Sequence, residues 1–175
     1  MAAKMNEVTN EVPLLAGRHG RPDQVGIIVP SLEAALPAYG AATPWRIWTY
    51  GRSTVGSVEF RGGPGRFEMR IALNPTQPQI ELIEPVAGPS VYDEWVAEHG
   101  YGLHHLGYFT DDLEAAIGAM ADAGYALLQA GRGLGADGSG GFAYFDTTAV
   151  LGHIAEAIEP PAVRRDPESV WPPAR

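Results

Sequence analysis

The sequence predicts an α+β fold made of two tandem βαβββ modules, and three observations lead there. The chain repeats itself: QVGIIVPSLEAAL at residues 24–36 aligns with HLGYFTDDLEAAI at residues 105–117. Gly26 meets Gly107, and Leu32, Glu33, Ala34 and Ala35 meet Leu113, Glu114, Ala115 and Ala116. Self-similarity at a fixed offset marks a duplicated unit. Two closing segments, QIELIEP ending at Pro85 and HIAEAIEP ending at Pro160, match in the same order, with Glu81, Ile83 and Glu84 meeting Glu156, Ile158 and Glu159. With 22 glycines and 15 prolines among 175 residues the chain is turn-rich, which suits many short strands better than a helical bundle.

Residues 1–21 are polar and aperiodic and read as an N-terminal arm. The first module spans 22–86. It opens with the apolar strand QVGIIV, and Ser31 then caps a helix reaching Gly40 that carries Leu32, Ala35 and Leu36 on one face. Pro37 keeps that helix short or kinks it. WRIWTY, RFEMRIAL and QIELIE follow as strands between Gly and Pro turns. Residues 87–101 form a linker helix, with Val91, Trp95 and Val96 at helical spacing. The second module, 102–160, begins with the strand LHHLGYFT and continues with the helix DDLEAAIGAMADAG, capped by Asp111 or Asp112 and ended by Gly124. It closes with the strands YALLQ, GFAYFD and HIAEAIE. Residues 161–175 are Pro-rich and charged, a loosely attached tail in which Trp171 is an apolar anchor.

Composition bounds the function. A net charge of −9 argues against nucleic acid and anionic membrane surfaces as partners. No run approaches the roughly 18 apolar residues of a membrane span, and MAAKMNEVTNEV lacks the apolar core of a signal peptide. A soluble, cytoplasmic protein is expected. With no cysteine, any metal must be held by His, carboxylate or amide ligands.

Glu81 and Glu156 sit at the centre of segments that read as buried strands, where an apolar residue is cheaper. In a strand, residues two apart share a face, so a helix packed on Ile80 and Leu82 leaves Glu81 facing the cavity side, and Glu156 follows by repetition. Two converging carboxylates held away from water repel each other and lose hydration, and a cation between them compensates both. Gln24 and His105 occupy equivalent positions on the opening strands. Where the first and last strand of each module lie side by side, Gln24, Glu81, His105 and Glu156 meet as three oxygen ligands and one imidazole. That set suits one divalent ion, Zn, Co, Ni, Mn or Fe, with positions left for water or substrate.

The paired βαβββ pattern, the opening strands followed by SLEAAL and DDLEAAI, and the closing strands IELIEP and IAEAIEP resemble the vicinal oxygen chelate superfamily of glyoxalase I, methylmalonyl-CoA epimerase, extradiol dioxygenases and bleomycin-resistance proteins. The resemblance covers about residues 22–160. It implies a curved mixed sheet around a metal-binding cavity, with the metal ligands falling on Gln24, Glu81, His105 and Glu156, and it implies a homodimer. The ligand order is that of animal-type glyoxalase I, but Ile28, Pro85 and Tyr101 stand where that enzyme's glutathione-binding residues would be. The local sequences LHHLGYFTDDLEAAI and FAYFDTTAVLGHIAEAIEP look more like methylmalonyl-CoA epimerase, although Gly62, Gly63, Pro64 and Gly65 stand where epimerases place a further acidic residue.

The expected function is a metal-dependent epimerase or isomerase that polarises the carbonyl of a small molecule, such as an acyl-CoA thioester, and moves a proton at the adjacent carbon. Glu156 is the expected proton shuttle and Glu81 its alternative. The rivals are a glyoxalase-like lyase or a dioxygenase on the same site, and a non-enzymatic binding or resistance protein for an apolar molecule. Gln24 in place of a second histidine counts against an iron dioxygenase. Arg46, Arg52, Arg61, Arg66 and Arg70 offer a basic entrance for thioester phosphates.

Other residues carry plainer expectations. His104 should face away from His105 as a packed or surface residue, and His153 should edge the cavity or end a turn. His19, His99, Glu84 and Glu159 are expected at the solvent. The Gly-rich stretch 131–141 is either a lid or a long hairpin. Strand alternation puts Trp45 on the face opposite Trp48, and Ile47 opposite Tyr50, so one of each pair lines the pocket.

Overall fold

The computed structural model describes residues 11–16, 18, 20–51 and 54–173. His19 and Arg52 lie outside them, as do residues 1–10 of the arm. The first module holds β1 (Gln24–Ile28), α2 (Leu32–Tyr39), β2 (Trp45–Tyr50), β3 (Ser57–Phe60), β4 (Gly63–Pro64), β5 (Glu68–Leu73) and β6 (Gln79–Ala87), preceded by α1 (Pro13–Ala16). After α3 (Val91–His99) come β7 (Gly102–Phe109), α4 (Leu113–Asp122), β8 (Leu127–Arg132), β9 (Gly141–Phe145), α5 (Thr148–Leu151) and β10 (Ile154–Glu159), and then β11 (Ser169–Trp171).

All eleven strands join one mixed sheet in the order β11-β2-β5-β6-β1-β7-β10-β9-β8-β3-β4. Within each module the first and last strands pair in parallel, β1 with β6 and β7 with β10. The modules meet through antiparallel pairing of β1 with β7, so they associate within one chain. The sheet curls on itself: Trp48, Met69 and Ile71 from one wing share a core with Leu128, Phe142 and Tyr144 from the other. On the convex side α2 covers Trp45, Ile47, Ala72 and Leu82. There α4 covers Ala130, Ala143, Phe145 and Ala157, and α1 packs beside it with Val12. Strand alternation therefore divides β2, sending Trp45 and Ile47 under the helix and Trp48 and Tyr50 into the concave core.

The helix of each module starts as the sequence predicts. Ser31 Oγ accepts from Ala34 N at 3.4 Å, and Asp112 Oδ1 accepts from Ala115 N at 2.9 Å. Pro37 lies inside α2, which is eight residues long. Glu84 and Glu159 are not free at the solvent. Each closes a helix N-terminus, Glu84 Oε2 accepting from Leu32 N at 2.8 Å and Glu159 Oε2 from Leu113 N at 3.0 Å. A carboxylate there meets an unpaired amide and the positive end of the helix dipole, which explains why both glutamates recur in the repeat.

Two features depart from the sequence reading. The stretch 57–64 forms a β3–β4 hairpin whose first strand pairs with β8, at the far edge of the second module. Gly62–Gly65 belong to that hairpin and its exit. The tail is not loose: it runs from Pro160 over the concave side and ends as β11, paired antiparallel with β2, Trp171 opposite Trp45. Trp48 Nε1 donates to Arg165 O at 3.0 Å, Glu168 accepts from Thr49 N and Oγ1, and Arg165 Nε donates to Leu134 O at 3.1 Å. The segment is thus a strap pinned to both wings. Stretch 131–141 is the end of β8, a connection, and the start of β9, with Leu134 facing the cavity.

Glu84→Ala removes the acceptor for Leu32 N and a partner of Arg70, so it should lower unfolding stability in urea by about 1–2 kcal/mol. An unchanged midpoint would deny the carboxylate its capping role.

Candidate metal centre

The parallel register of β1 and β6 places Gln24 beside Gln79 and Gly26 beside Glu81, while the antiparallel register of β1 and β7 sets Gly26 opposite His105. On the other side of β7, Glu156 lies beside Gly107. All four residues singled out from sequence converge and are buried: Gln24 is 5% exposed, Glu81 7%, His105 0% and Glu156 3%. One ligand atom from each of Glu81, His105 and Glu156 lies within 4.8 Å of the others. His105 Nε2 is 3.4 Å from Glu81 Oε2, 3.0 Å from Glu156 Oε2 and 3.4 Å from Gln24 Oε1. The amide of Gln24 is oriented by Gln79, whose Oε1 accepts from Gln24 Nε2 at 2.9 Å, turning the Gln24 oxygen toward the imidazole. Gln79 was not among the sequence candidates; its place two residues before Glu81 on the same strand face was the available signal.

His104 corrects an expectation. The register of β7 against β1 slips between Gly26 and Ile27, a bulge that inserts His104 and brings both imidazoles together. Their Nδ1 atoms are 2.9 Å apart, and both rings pack against Tyr144. Burial, reinforced by His105, pushes His104 well below the usual histidine range, so it is neutral. A His105 that presents its Nε2 lone pair to a cation carries its proton on Nδ1 and donates it to His104, which makes His104 a positioning residue. His153 is half-buried and its Nδ1 lies 3.1 Å from Leu151 O, at the turn before β10. His99 is exposed and stacks on Trp95.

The electrostatics fit a cation. Burial disfavours the His105 imidazolium, but the Glu156 and Glu81 carboxylates outweigh it and raise His105 to about 9. Burial likewise pushes the Glu156 carboxyl up, partly countered by His105. Glu156 Oε2 is buried and makes no aligned hydrogen bond among the described residues, although His105 Nε2 is only 3.0 Å away. A close nitrogen and oxygen without an N–H aimed between them are placed as two donors to a common cation are placed, and two carboxylates balance a divalent charge. Gln24, Glu81, His105 and Glu156 could therefore hold such an ion.

The repeated glycines acquire a reason here. A Cβ on Gly26 would fall inside the His105 ring. A Cβ on Gly107 would lie 3.1 Å from Gln24 Cβ and 3.2 Å from Glu156 Oε2. Gly26 thus clears space for His105 of the other module, and Gly107, where a Cβ would also lie 2.6 Å from Ile158 Cδ1, clears space where Gln24, Glu156 and Ile158 meet. Beyond the donors the cavity is walled by Met69, Ile71, Phe109, Phe142 and Ile158, with Tyr50 at its side and Arg164 at its mouth.

Residues 23–145 match the family model described as the Glyoxalase/Bleomycin resistance protein/Dioxygenase superfamily. No curated protein matches the chain. Among solved structures, methylmalonyl-CoA epimerase from Mycobacterium tuberculosis is 23% identical with a TM-score of 0.56, over 81% of this chain and 88% of that one. Hypothetical protein BH1468 from Bacillus halodurans is 21% identical with a TM-score of 0.52, over 83% and 98%. Streptomyces coelicolor methylmalonyl-CoA epimerase in complex with 2-nitronate-propionyl-CoA is 22% identical with a TM-score of 0.53, over 83% and 97%. At these identities the structures share the fold.

Gly26→Ala must displace His105, so affinity for added Co(II), followed by its visible absorption, should fall at least about tenfold, with a stability loss of about 1–3 kcal/mol from overpacking. Co(II) binding equal to that of the unaltered protein would show that His105 is not a ligand.

Proposed function

The chain belongs to the glyoxalase/bleomycin resistance protein/dioxygenase, or vicinal oxygen chelate, superfamily, and on that premise we propose that it is a divalent-metal-dependent epimerase or isomerase. Its substrate carries a carbonyl next to an acidic C–H bond, and an acyl-CoA thioester is the class to try first. The observation that carries the reading is the buried Glu156 oxygen, without a hydrogen-bond partner among the described residues and 3.0 Å from His105 Nε2. Gln24, Glu81, His105 and Glu156 would hold the ion, and this donor set suits Zn, Co, Ni, Mn or Fe. When bound, the ion supplies Lewis-acid polarisation of the substrate carbonyl.

The chain's own groups do the rest. Glu156, its carboxyl pushed up by burial, is suited to accept a carbon-bound proton. The C–H bond breaks, its electron pair moves toward the carbonyl oxygen, and the proton resides on Glu156. Return of that proton by Glu156 restores the carbon; inversion needs Glu81 to take up a proton from water and deliver it to the opposite face while Glu156 releases its own proton to water. Tyr50 lines the same cavity, and burial raises its pKa, so the phenol keeps its proton. Its hydroxyl is a donor suited to the oxygen that gains charge. The Tyr144 hydroxyl lies 3.0 Å from that of Tyr92, with either able to donate, and its hydrogen bonding helps to hold the Glu156 carboxyl down against burial. The apolar walls also suit a second reading, a protein that binds an apolar molecule without turnover, which stoichiometric binding by metal-free protein would favour.

Metal-loaded protein incubated with methylmalonyl-CoA in D2O should exchange the hydrogen at the carbon between the two carbonyls, seen as loss of its proton NMR signal. Glu156→Gln should slow that exchange by about a hundredfold or more. Exchange no faster than in buffer would contradict this activity.

A further inference from the structure

The cavity beside the four donors offers only about 60 Å³ to the centres of water-sized groups, room for about four to six of them at 10–15 Å³ each. A substrate reacting there inserts its carbonyl end and leaves the remainder outside. Next to it lies a second pocket, of about 200 Å³, lined by Arg46, Trp48, Asn74 and Pro75. The two share Leu73, Gln79 and Arg164. Arg46 projects from β2, and Arg164 comes from the strap, beyond the 23–145 family match.

We propose that Arg46 and Arg164 form a subsite for an anionic group of the substrate, a carboxylate or a phosphate, held outside the cavity while the carbonyl end reaches the four donors. The proposal rests on the function just given. Arg18, Arg61, Arg70 and Arg132 each engage a carboxylate, whereas no carboxylate among the described residues lies within ion-pair distance of Arg46 or Arg164. Two unneutralised guanidinium groups facing one pocket, in a chain of net charge −9, make a local positive field against a negative background. Arg164 is also held in place. Its guanidinium lies 5.6 Å from the Trp48 ring centroid, and the next residue accepts a hydrogen bond from Trp48 Nε1. The field sets orientation as well, because the arginines retain an anionic end outside the cavity.

The test is calorimetric titration of metal-loaded protein with two probes, desulfo-coenzyme A, which has phosphates but no carboxylate, and malonate, which has carboxylates but no phosphate. Arg164→Gln and Arg46→Gln are compared with the unaltered protein and with Arg132→Gln, which removes the same charge at the Glu114 ion pair. Affinity for at least one probe should fall about fivefold or more in each of the two pocket variants and not in Arg132→Gln. Loss confined to desulfo-coenzyme A assigns the subsite to thioester phosphates, and loss confined to malonate assigns it to a substrate carboxylate. Equal affinities in all four proteins, or no binding of either probe, would overturn the proposal. Metal content measured on the same samples separates the two readings: arginine-dependent binding in protein that takes up no ion leaves the subsite standing and removes the metal-dependent function.

Discussion

The centre of this molecule depends on one electrostatic constraint: two buried carboxylates from different modules, Glu81 and Glu156, face one imidazole, His105, at 3.4 and 3.0 Å. Burying two negative charges together costs several kcal/mol unless a cation neutralises them. With no ion the cation in contact with both carboxylates among the described residues is His105 itself, whose pKa they lift to about 9. Yet one imidazolium carries a single positive charge against two carboxylates, so it does not balance the group as a divalent ion would. That mismatch is the physical ground for a metal-centred reading.

The fold is arranged around this group by repetition. Parallel pairing of first and last strand in each module lines up Gln24 with Gln79 and Gly107 with Glu156, and antiparallel pairing of β1 with β7 joins the two sets. Gly26 and Gly107 let the opposing ligands cross the seam, and Glu84 and Glu159 tie the strand exits to the helices behind the sheet. Residues that recur in the repeat therefore serve either the site or the helix termini that buttress it. The bulge at His104 breaks the symmetry and gives one module an imidazole braced by a second one.

Much of this was legible in the sequence because duplication and strand alternation are local patterns. The offsets of the repeat located the opening and closing strands, and period-two alternation separated Glu81 from Ile80 and Leu82. What escaped had long-range causes. The β3–β4 hairpin is a short stretch whose partner strand, β8, lies far along the chain. The strap looked like a tail because Pro and charge dominate it, and its fixation comes from β2, more than a hundred residues earlier. His104 is packed, as expected, but turns toward His105, because a bulge shifts the phase of a strand by one residue and nothing in LHHLG announces it. Glu84 and Glu159 were misplaced because their partners are helix amides 52 and 46 residues away.

The central claim is that Glu81 and Glu156 exist to hold a divalent ion. Elemental analysis of protein purified without chelator or histidine tag, beside a Glu81→Gln, Glu156→Gln double variant, tests it most directly. The account predicts about one divalent ion per chain in the unaltered protein and little in the variant, whose amides remain neutral and are poor ligands. No ion in either protein, with no uptake of added Zn, Co, Ni, Mn or Fe, would contradict it.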